Sequence, residues 1–139
     1  MSAAPTCPQS GLSTHVRVLV VDDSAVTLQT VSNFLRRQAA VEVVGTAQDG
    51  AEAVELAKKL QPDLVLMDVQ MPGMNGLEAT AEILRQQPGI RVVMITVNDT
   101  PELRQAAKET GAYQFIPKPQ LWRTLPDMLR ELKAELEQS

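Results

Sequence analysis

The run Leu64-Val65-Leu66-Met67 constrains this chain more than any other stretch. Four consecutive apolar residues show no polar side to water, so a strand built from them must be covered on both faces, as inside a parallel sheet. The run ends in Asp68, where a carboxylate is costly as mere packing. The acid makes sense at the carboxyl end of a strand, where open α/β sheets receive ligands. The Pro-Gly-rich segment that follows, Val69-Gln70-Met71-Pro72-Gly73-Met74-Asn75-Gly76, cannot continue the strand and must turn away as a loop. For a lone Asp after a strand, capping the next helix is the simpler role. The other strand-end residues reverse that preference.

The rest of the chain supplies the neighbours such a strand requires. Val16-Arg17-Val18-Leu19-Val20-Val21 reads as a strand by its β-branched content and runs into Asp22-Asp23-Ser24. Ser24 caps a helix with Leu28, Val31, Phe34 and Leu35 on one face. Residues 41–44 form a second strand ended by Gly45. Asp49 and Glu52 have capping-box spacing and open a second helix, with Ala53, Val54, Ala57 and Leu60 as its buried stripe and Pro62 as its stop. Asn75 and Glu78 open a third helix in the same way, running through Leu84. Pro88-Gly89 turns the chain into a fourth strand, Arg91–Thr96. Thr100-Pro101 starts a fourth helix, which Gly111 ends with a left-handed cap. Residues 113–116 form a fifth strand, followed by Pro117-Lys118-Pro119. The last helix carries Leu121, Leu125, Leu129, Leu132 and Leu136 on one side, and Pro126 delays its regular part to near Thr124. Such alternation predicts an α/β fold with parallel strands, right-handed crossovers and helices on both faces.

Composition narrows the function. The 139 residues fit one domain, which we place at 16–137, behind a flexible tail at 1–15. The tail is rich in Ser, Ala, Pro and Thr and lacks the basic start and apolar stretch of a signal peptide. A net charge of −4 and an aromatic content of 3% argue against direct nucleic-acid binding by this chain. The single cysteine, Cys7, excludes an intrachain disulfide and a cysteine-based zinc site. No apolar run approaches the roughly 20 residues that span a bilayer, so no membrane association is expected and a cytoplasmic location follows by default.

Parallel strands bring Asp22 and Asp23, Asp68, Thr96 and Lys118 to one edge of the sheet. Carboxylates converging there repel: at about 4 Å and an effective dielectric near 20, each pair costs on the order of 4 kcal/mol. A bound cation relieves this, and hard oxygen ligands without His or Cys suit Mg²⁺ or Mn²⁺. No Gly-rich phosphate loop follows the first strand, so the edge is not a nucleotide cradle. A carboxylate, a cation, a lysine and a threonine hydroxyl make a phosphoryl-transfer set, in which the carboxylate attacks phosphorus and the cation and ammonium balance charge. Taken singly, Asp22-Asp23 reads as a capping pair, Thr96 as a backbone-bonded hydroxyl and Lys118 as a solvated lysine. Their coincidence at strand ends favours the chemical reading.

These residues carry a resemblance. From Val16 to about Leu132 the chain resembles the receiver domain of two-component response regulators, through Val18-Leu19-Val20-Val21-Asp22-Asp23-Ser24, Asp68 with Met71-Pro72 and Gly76, Thr96, Gly111-Ala112 and Lys118-Pro119. The resemblance implies a flavodoxin-like, doubly wound five-stranded sheet in the order 2-1-3-4-5 with five helices. It implies that Asp68 accepts a phosphoryl group from a sensor histidine kinase or a histidine phosphotransfer protein. Asp23, Asp68 and the backbone carbonyl of Gln70 would hold Mg²⁺, with Asp22 acting through water. Lys118 would pair with the phosphoryl group, and the Lys118–Pro119 bond would be cis. Thr96 would close on a phosphoryl oxygen while Phe115 turns inward, switching the surface of the fourth helix, fifth strand and fifth helix for a downstream protein or a phosphorylation-dependent homodimer. The chain would catalyse only its own phosphorylation and dephosphorylation.

Three positions depart from the family pattern: Val97 where a smaller residue is usual, Gln120 where phenylalanine is common, and Asn75 in place of aspartate. Val97, together with Gln70 and Asn98, is expected to tune rates. His15 reads as a bland surface residue, and Arg123, Arg130, Lys133, Glu131 and Glu135 as a solvated helix face. Trp122 and Tyr113 lie near the expected output surface, as core packing or partly exposed. A haloacid-dehalogenase-type phosphatase also uses a strand-end Asp with Mg²⁺, but its general acid two positions on is here Gln70, which supplies no proton. A further reading is the amino-terminal part of a longer regulator with a DNA-binding or enzymatic output, for which this chain leaves no room after its last helix.

Overall fold

The computed structural model describes residues 15–71 and 75–137. The tail up to Thr14, and Pro72, Gly73 and Met74 of the loop after Asp68, lie outside the described residues. In chain order the elements are β1 (Val16–Val21), α1 (Ala25–Arg36), β2 (Val41–Ala47), α2 (Gly50–Leu60), β3 (Leu64–Asp68), α3 (Gly76–Gln86), β4 (Arg91–Thr96), α4 (Pro101–Thr110), β5 (Gln114–Pro117) and α5 (Leu121–Glu137). The strands form one parallel sheet in the order β2-β1-β3-β4-β5.

Strand alternation sorts the core into two layers. Val18, Val20, Leu64, Leu66, Val93, Ile95 and Ile116 face α1 and α5, which return Leu28, Val31, Leu35, Leu125, Leu129 and Leu132. Leu19, Val21, Val65, Met67, Val92 and Met94 face Ala53 and Ala57 of α2, Ala79 and Ile83 of α3 and Ala107 of α4. Every residue of β3 is buried, as a strand covered on both faces requires. The first four helices begin on side-chain caps: Ser24 accepts from the Thr27 N–H, Asp49 from Glu52, Asn75 from Glu78 and Thr100 from Leu103. Only the box at Asn75 is reciprocal, because Glu52 reaches back to the Gln48 N–H and not to Asp49. Among the described residues no helix is long and apolar enough to cross a membrane.

Several boundaries correct the sequence expectations. β2 runs through Gly45 to Ala47, with a register shift opposite Val18 and Leu19. Glycine leaves room there for Leu60, whose Cδ1 would stand 2.9 Å from a Cβ at this position and would have to shift. β5 ends at Pro117, one residue later than expected. A 3₁₀ turn, Lys118–Gln120, then feeds α5, so α5 begins at Leu121 and keeps Pro126 inside it. The pre-formed turn supplies the helix start that Pro126 was expected to postpone. The Lys118–Pro119 peptide is trans, not cis: the described residues hold no cis bond, and the Lys118 carbonyl accepts from the Leu121 N–H to close the turn. The last helix is not wholly a solvated face, because Glu135 turns in to Arg91 and Tyr113. Trp122 is 43% exposed and packs edge-on against Phe34 of α1 at 5.1 Å.

Candidate functional site

The carboxyl ends of β1, β3, β4 and β5 meet at one edge of the sheet, and β1 and β3, which end in the acids, are its adjacent central strands. Asp22 and Asp68 are 4% and 5% exposed, whereas Asp23 faces solvent. One carboxylate oxygen from each of the three lies within 4.8 Å of the others. The two buried acids are aimed by local backbone. Asp22 Oδ1 accepts the Ser24 N–H at 2.9 Å, and Asp68 Oδ1 accepts the Gln70 N–H at 3.2 Å. Lys118, carried by the turn after β5, places Nζ 3.0 Å from Asp22 Oδ2 and 3.7 Å from Asp68 Oδ2.

One ammonium does not offset three carboxylates in a desolvated setting. Burial pushes the Asp68 carboxyl up to about 6, and the Asp22 charge adds to it. Lys118 and the Gln70 N–H pull the other way without prevailing, and Asp23 contributes a smaller push upward. Burial works to lower the Lys118 pKa, but the Asp22 hydrogen bond and the Asp68 and Asp22 charges outweigh it and hold it above its ordinary value. The pocket is therefore electrostatically incomplete. Its donor set is three carboxylates, the chemistry that suits a hard divalent cation.

The remaining sequence-derived residues fall around this cluster. Thr96 is fully buried, and its hydroxyl accepts the Asn98 N–H at 3.0 Å. Asn98 Nδ2 donates to Gln70 Oε1 at 2.8 Å, joining the loops after β3 and β4. Val97 is 64% exposed. Phe115 lies on β5, half-buried against the α2–α3–α4 layer, and is not in the acid cluster.

Two features were not found by sequence reasoning. The first is how closely Gly76 seats α3 against the end of β3. Its N–H donates to Val69 O at 2.8 Å, and a Cβ there would stand 2.3 Å from Asp68 O and 2.8 Å from Val69 Cα. Its place as the first helical residue after the Asn75 cap was the available signal. The second is Arg104 of α4, which forks onto Asp99 and covers the Phe115 ring. Nothing in the sequence signals that contact.

Comparison with known proteins agrees with this geometry. The family model described as the response regulator receiver domain matches residues 18–130. A protein-glutamate methylesterase/protein-glutamine glutaminase of Pyrococcus abyssi is 42% identical over 123 residues, which is 87% of this chain and 33% of that protein. The chain thus spans about a third of the length of the methylesterases it matches. The crystal structure of the response regulator domain of Thermotoga maritima CheB superposes with a TM-score of 0.80 at 36% identity, covering 86% of this chain and 97% of that one. The CheX-CheY-BeF3-Mg²⁺ complex of Borrelia burgdorferi gives 0.72 at 29% identity, covering 78% and 87% of the respective chains. With the strand order, the buried strand-end acid and the matched residues in agreement, the chain belongs to the response regulator receiver family, whose general function is phosphorylation-dependent signalling in two-component systems.

Proposed function

We propose that Asp68 is the phosphoacceptor of this receiver and that the chain, in the cytoplasm, catalyses only its own phosphorylation and dephosphorylation. The observation that carries the reading is the placement of Asp68: buried at the end of the central strand, Lys118 3.7 Å away, and two further acids within ligand distance of one cation. Asp23 and Asp68, with the Gln70 carbonyl, would hold Mg²⁺, and Asp22 would act through water. Two features fit this division: Asp23 is the solvent-facing acid, while Asp22 is occupied by Ser24 and Lys118. Mn²⁺ suits the same oxygens. The ion would neutralise the acids and the equatorial phosphoryl oxygens, and Lys118 would supply the second positive charge.

The phosphodonor would be a histidine kinase or a histidine phosphotransfer protein. An apolar cavity of about 230 Å³ opens beside Lys118 between α1 and α5, flanked by Val26, which is 75% exposed, and by Trp122. Such a surface next to the reactive edge fits a protein donor better than a soluble metabolite. On phosphorylation, Thr96 and Phe115 would shift a two-state balance of the α4–β5–α5 surface toward the form that binds a downstream protein or a second copy of the chain.

Calorimetric titration with Mg²⁺ tests the ligand set. Asp23→Asn is expected to weaken binding more than Asp22→Asn. Unchanged affinity in Asp23→Asn removes Asp23 from the set. Hydrogen exchange with beryllofluoride and Mg²⁺ tests the output, with the largest change expected at 97–121 and a largest change in α2 contradicting it.

A further inference from the structure

The loop at 97–100, between β4 and α4, is tied on two sides. Toward the acid cluster, the Asn98 side chain donates to Gln70 and its N–H to the Thr96 hydroxyl. Away from the cluster, the neighbouring Asp99 accepts both arms of the Arg104 guanidinium, Nε to Oδ1 at 2.5 Å and Nη2 to Oδ2 at 2.8 Å. That fork leaves the Arg104 guanidinium carbon 5.0 Å from the centroid of the Phe115 ring. Two parallel hydrogen bonds fix the plane of a guanidinium, and a fixed plane is what an arginine needs to cover an aromatic face.

Sheet register gives this contact a purpose. Phe115 pairs with Met94, and alternation puts Thr96 on the same face of β4 as Met94. Phe115 and Thr96 therefore share one side of the sheet, the side covered by α4. Asp99 follows Thr96 by three residues in the chain, so displacement of Thr96 carries it along.

We propose that Asp99 and Arg104 are a positioning pair: they hold Phe115 in its unphosphorylated setting and pass the movement of the 97–100 loop to its ring. The inference rests on the reading of Asp68 and Thr96 given above. When a phosphoryl oxygen draws the Thr96 hydroxyl, the loop moves, Asp99 moves with it, and the fork no longer centres Arg104 on the ring. The pair is exposed, so it biases the balance and does not lock it.

The test uses the two phenylalanines of the chain, Phe34 and Phe115. Labelling with para-fluorophenylalanine gives one fluorine resonance on each side of the sheet, and Phe34, packed on Trp122, serves as the reference. Beryllofluoride is titrated at saturating Mg²⁺ into the wild type, Asp99→Asn, Arg104→Ala, Arg104→Lys and the Asp99→Asn/Arg104→Ala double variant. Removing a bias against the active form raises the apparent beryllofluoride affinity, by about twofold to fivefold for one exposed charge-assisted contact. Asp99→Asn and Arg104→Ala are each expected to give that rise, and the double variant no more than either. Arg104→Lys, which keeps the charge but loses the fork, should behave as Arg104→Ala. Wild-type affinity in both single variants, or additive effects in the double, overturns the pair. If the wild type itself gives no Mg²⁺-dependent response, the reading of Asp68 fails instead. The unliganded spectra then decide the pair: a common shift of the Phe115 resonance in Asp99→Asn and Arg104→Ala supports it, and an unmoved resonance overturns it.

Discussion

At the carboxyl end of the sheet Asp22, Asp23 and Asp68 face Lys118; at the amino end of β4, Arg91 faces Glu135 and Tyr113. Both clusters pair acids with a base across long stretches of chain. In the second the charges balance. Arg91 Nη2 lies 2.9 Å from Glu135 Oε1, the Tyr113 hydroxyl donates to Oε2 at 2.9 Å, and the guanidinium stands 5.8 Å from the Tyr113 ring centroid. Burial, then the Glu135 hydrogen bond, raises the Tyr113 phenol further from ionisation, so the phenol keeps its proton near neutral pH. In the first cluster three carboxylates share one ammonium, and burial, then the Asp22 charge, pushes the Asp68 pKa up to about 6. One arrangement ties α5 to β4. The other holds an excess of negative charge that a cation would relieve. The contrast is one of charge count and burial more than of residue type.

The comparison breaks most visibly in stability. The folded Asp68 pKa of about 6 lies above its ordinary value of 3.8, so the folded state binds the proton more tightly than the unfolded state. The ionised carboxylate therefore destabilises the fold. That penalty is complete above pH 6, shrinks as pH falls through about 6 toward 4, and is gone below the unfolded value. A shift of this size corresponds to about 2–3 kcal/mol. Asp68→Asn is thus expected to be more stable than the wild type by roughly that amount in urea at pH 7 with chelator. The gap should close by about pH 4, or when Mg²⁺ is added to the wild type. Equal stability at pH 7 would mean that the cluster is not frustrated. At the opposite end the sign reverses: Arg91→Ala should lose about 1 kcal/mol and leave phosphoryl labelling intact. A loss of labelling there would show that the two ends are coupled.

The smallest effect sharpens the comparison at the rim. Val97 is one of few exposed large apolar residues, so trimming it forfeits little core packing. Its β-branched side chain follows Thr96 in the loop that, on the proposed reading, would close over the phosphoryl group. Val97→Ala is expected to speed both labelling by small donors and phosphoryl loss by about severalfold, with Mg²⁺ affinity unchanged. An unchanged or longer phosphoryl lifetime assigns the decay rate to Gln70 or Asn98.

What could be read before the structure followed from local physics. An all-apolar run had to become a central strand, and caps at Ser24, Asp49, Asn75 and Thr100 start helices where their oxygens meet free N–H groups. Strand ends then had to gather Asp22, Asp23, Asp68 and Lys118. What escaped depends on distant partners. Gly45 looked like a strand stop because glycine weakens strands, yet here it makes room for Leu60 of α2. Glu135 looked solvated because its partner Arg91 is 44 residues away. The start of α5 was misplaced because a proline penalty is visible in sequence, whereas the 3₁₀ turn that feeds the helix is not. The fork of Asp99 and Arg104 over Phe115 needs the fold to bring β5 beneath α4.

The central claim, that the buried acid at the end of β3 is the reactive one, is tested most directly by labelling with acetyl phosphate and Mg²⁺ followed by mass-spectrometric mapping. The wild type should carry one phosphoryl group, on Asp68. Lys118→Ala should label more slowly, by on the order of a hundredfold, for want of the ammonium that balances phosphoryl charge. Asp68→Asn should remain unlabelled. Labelling of Asp68→Asn at the wild-type level, mapped to Asp22, Asp23 or any other residue, would contradict the account.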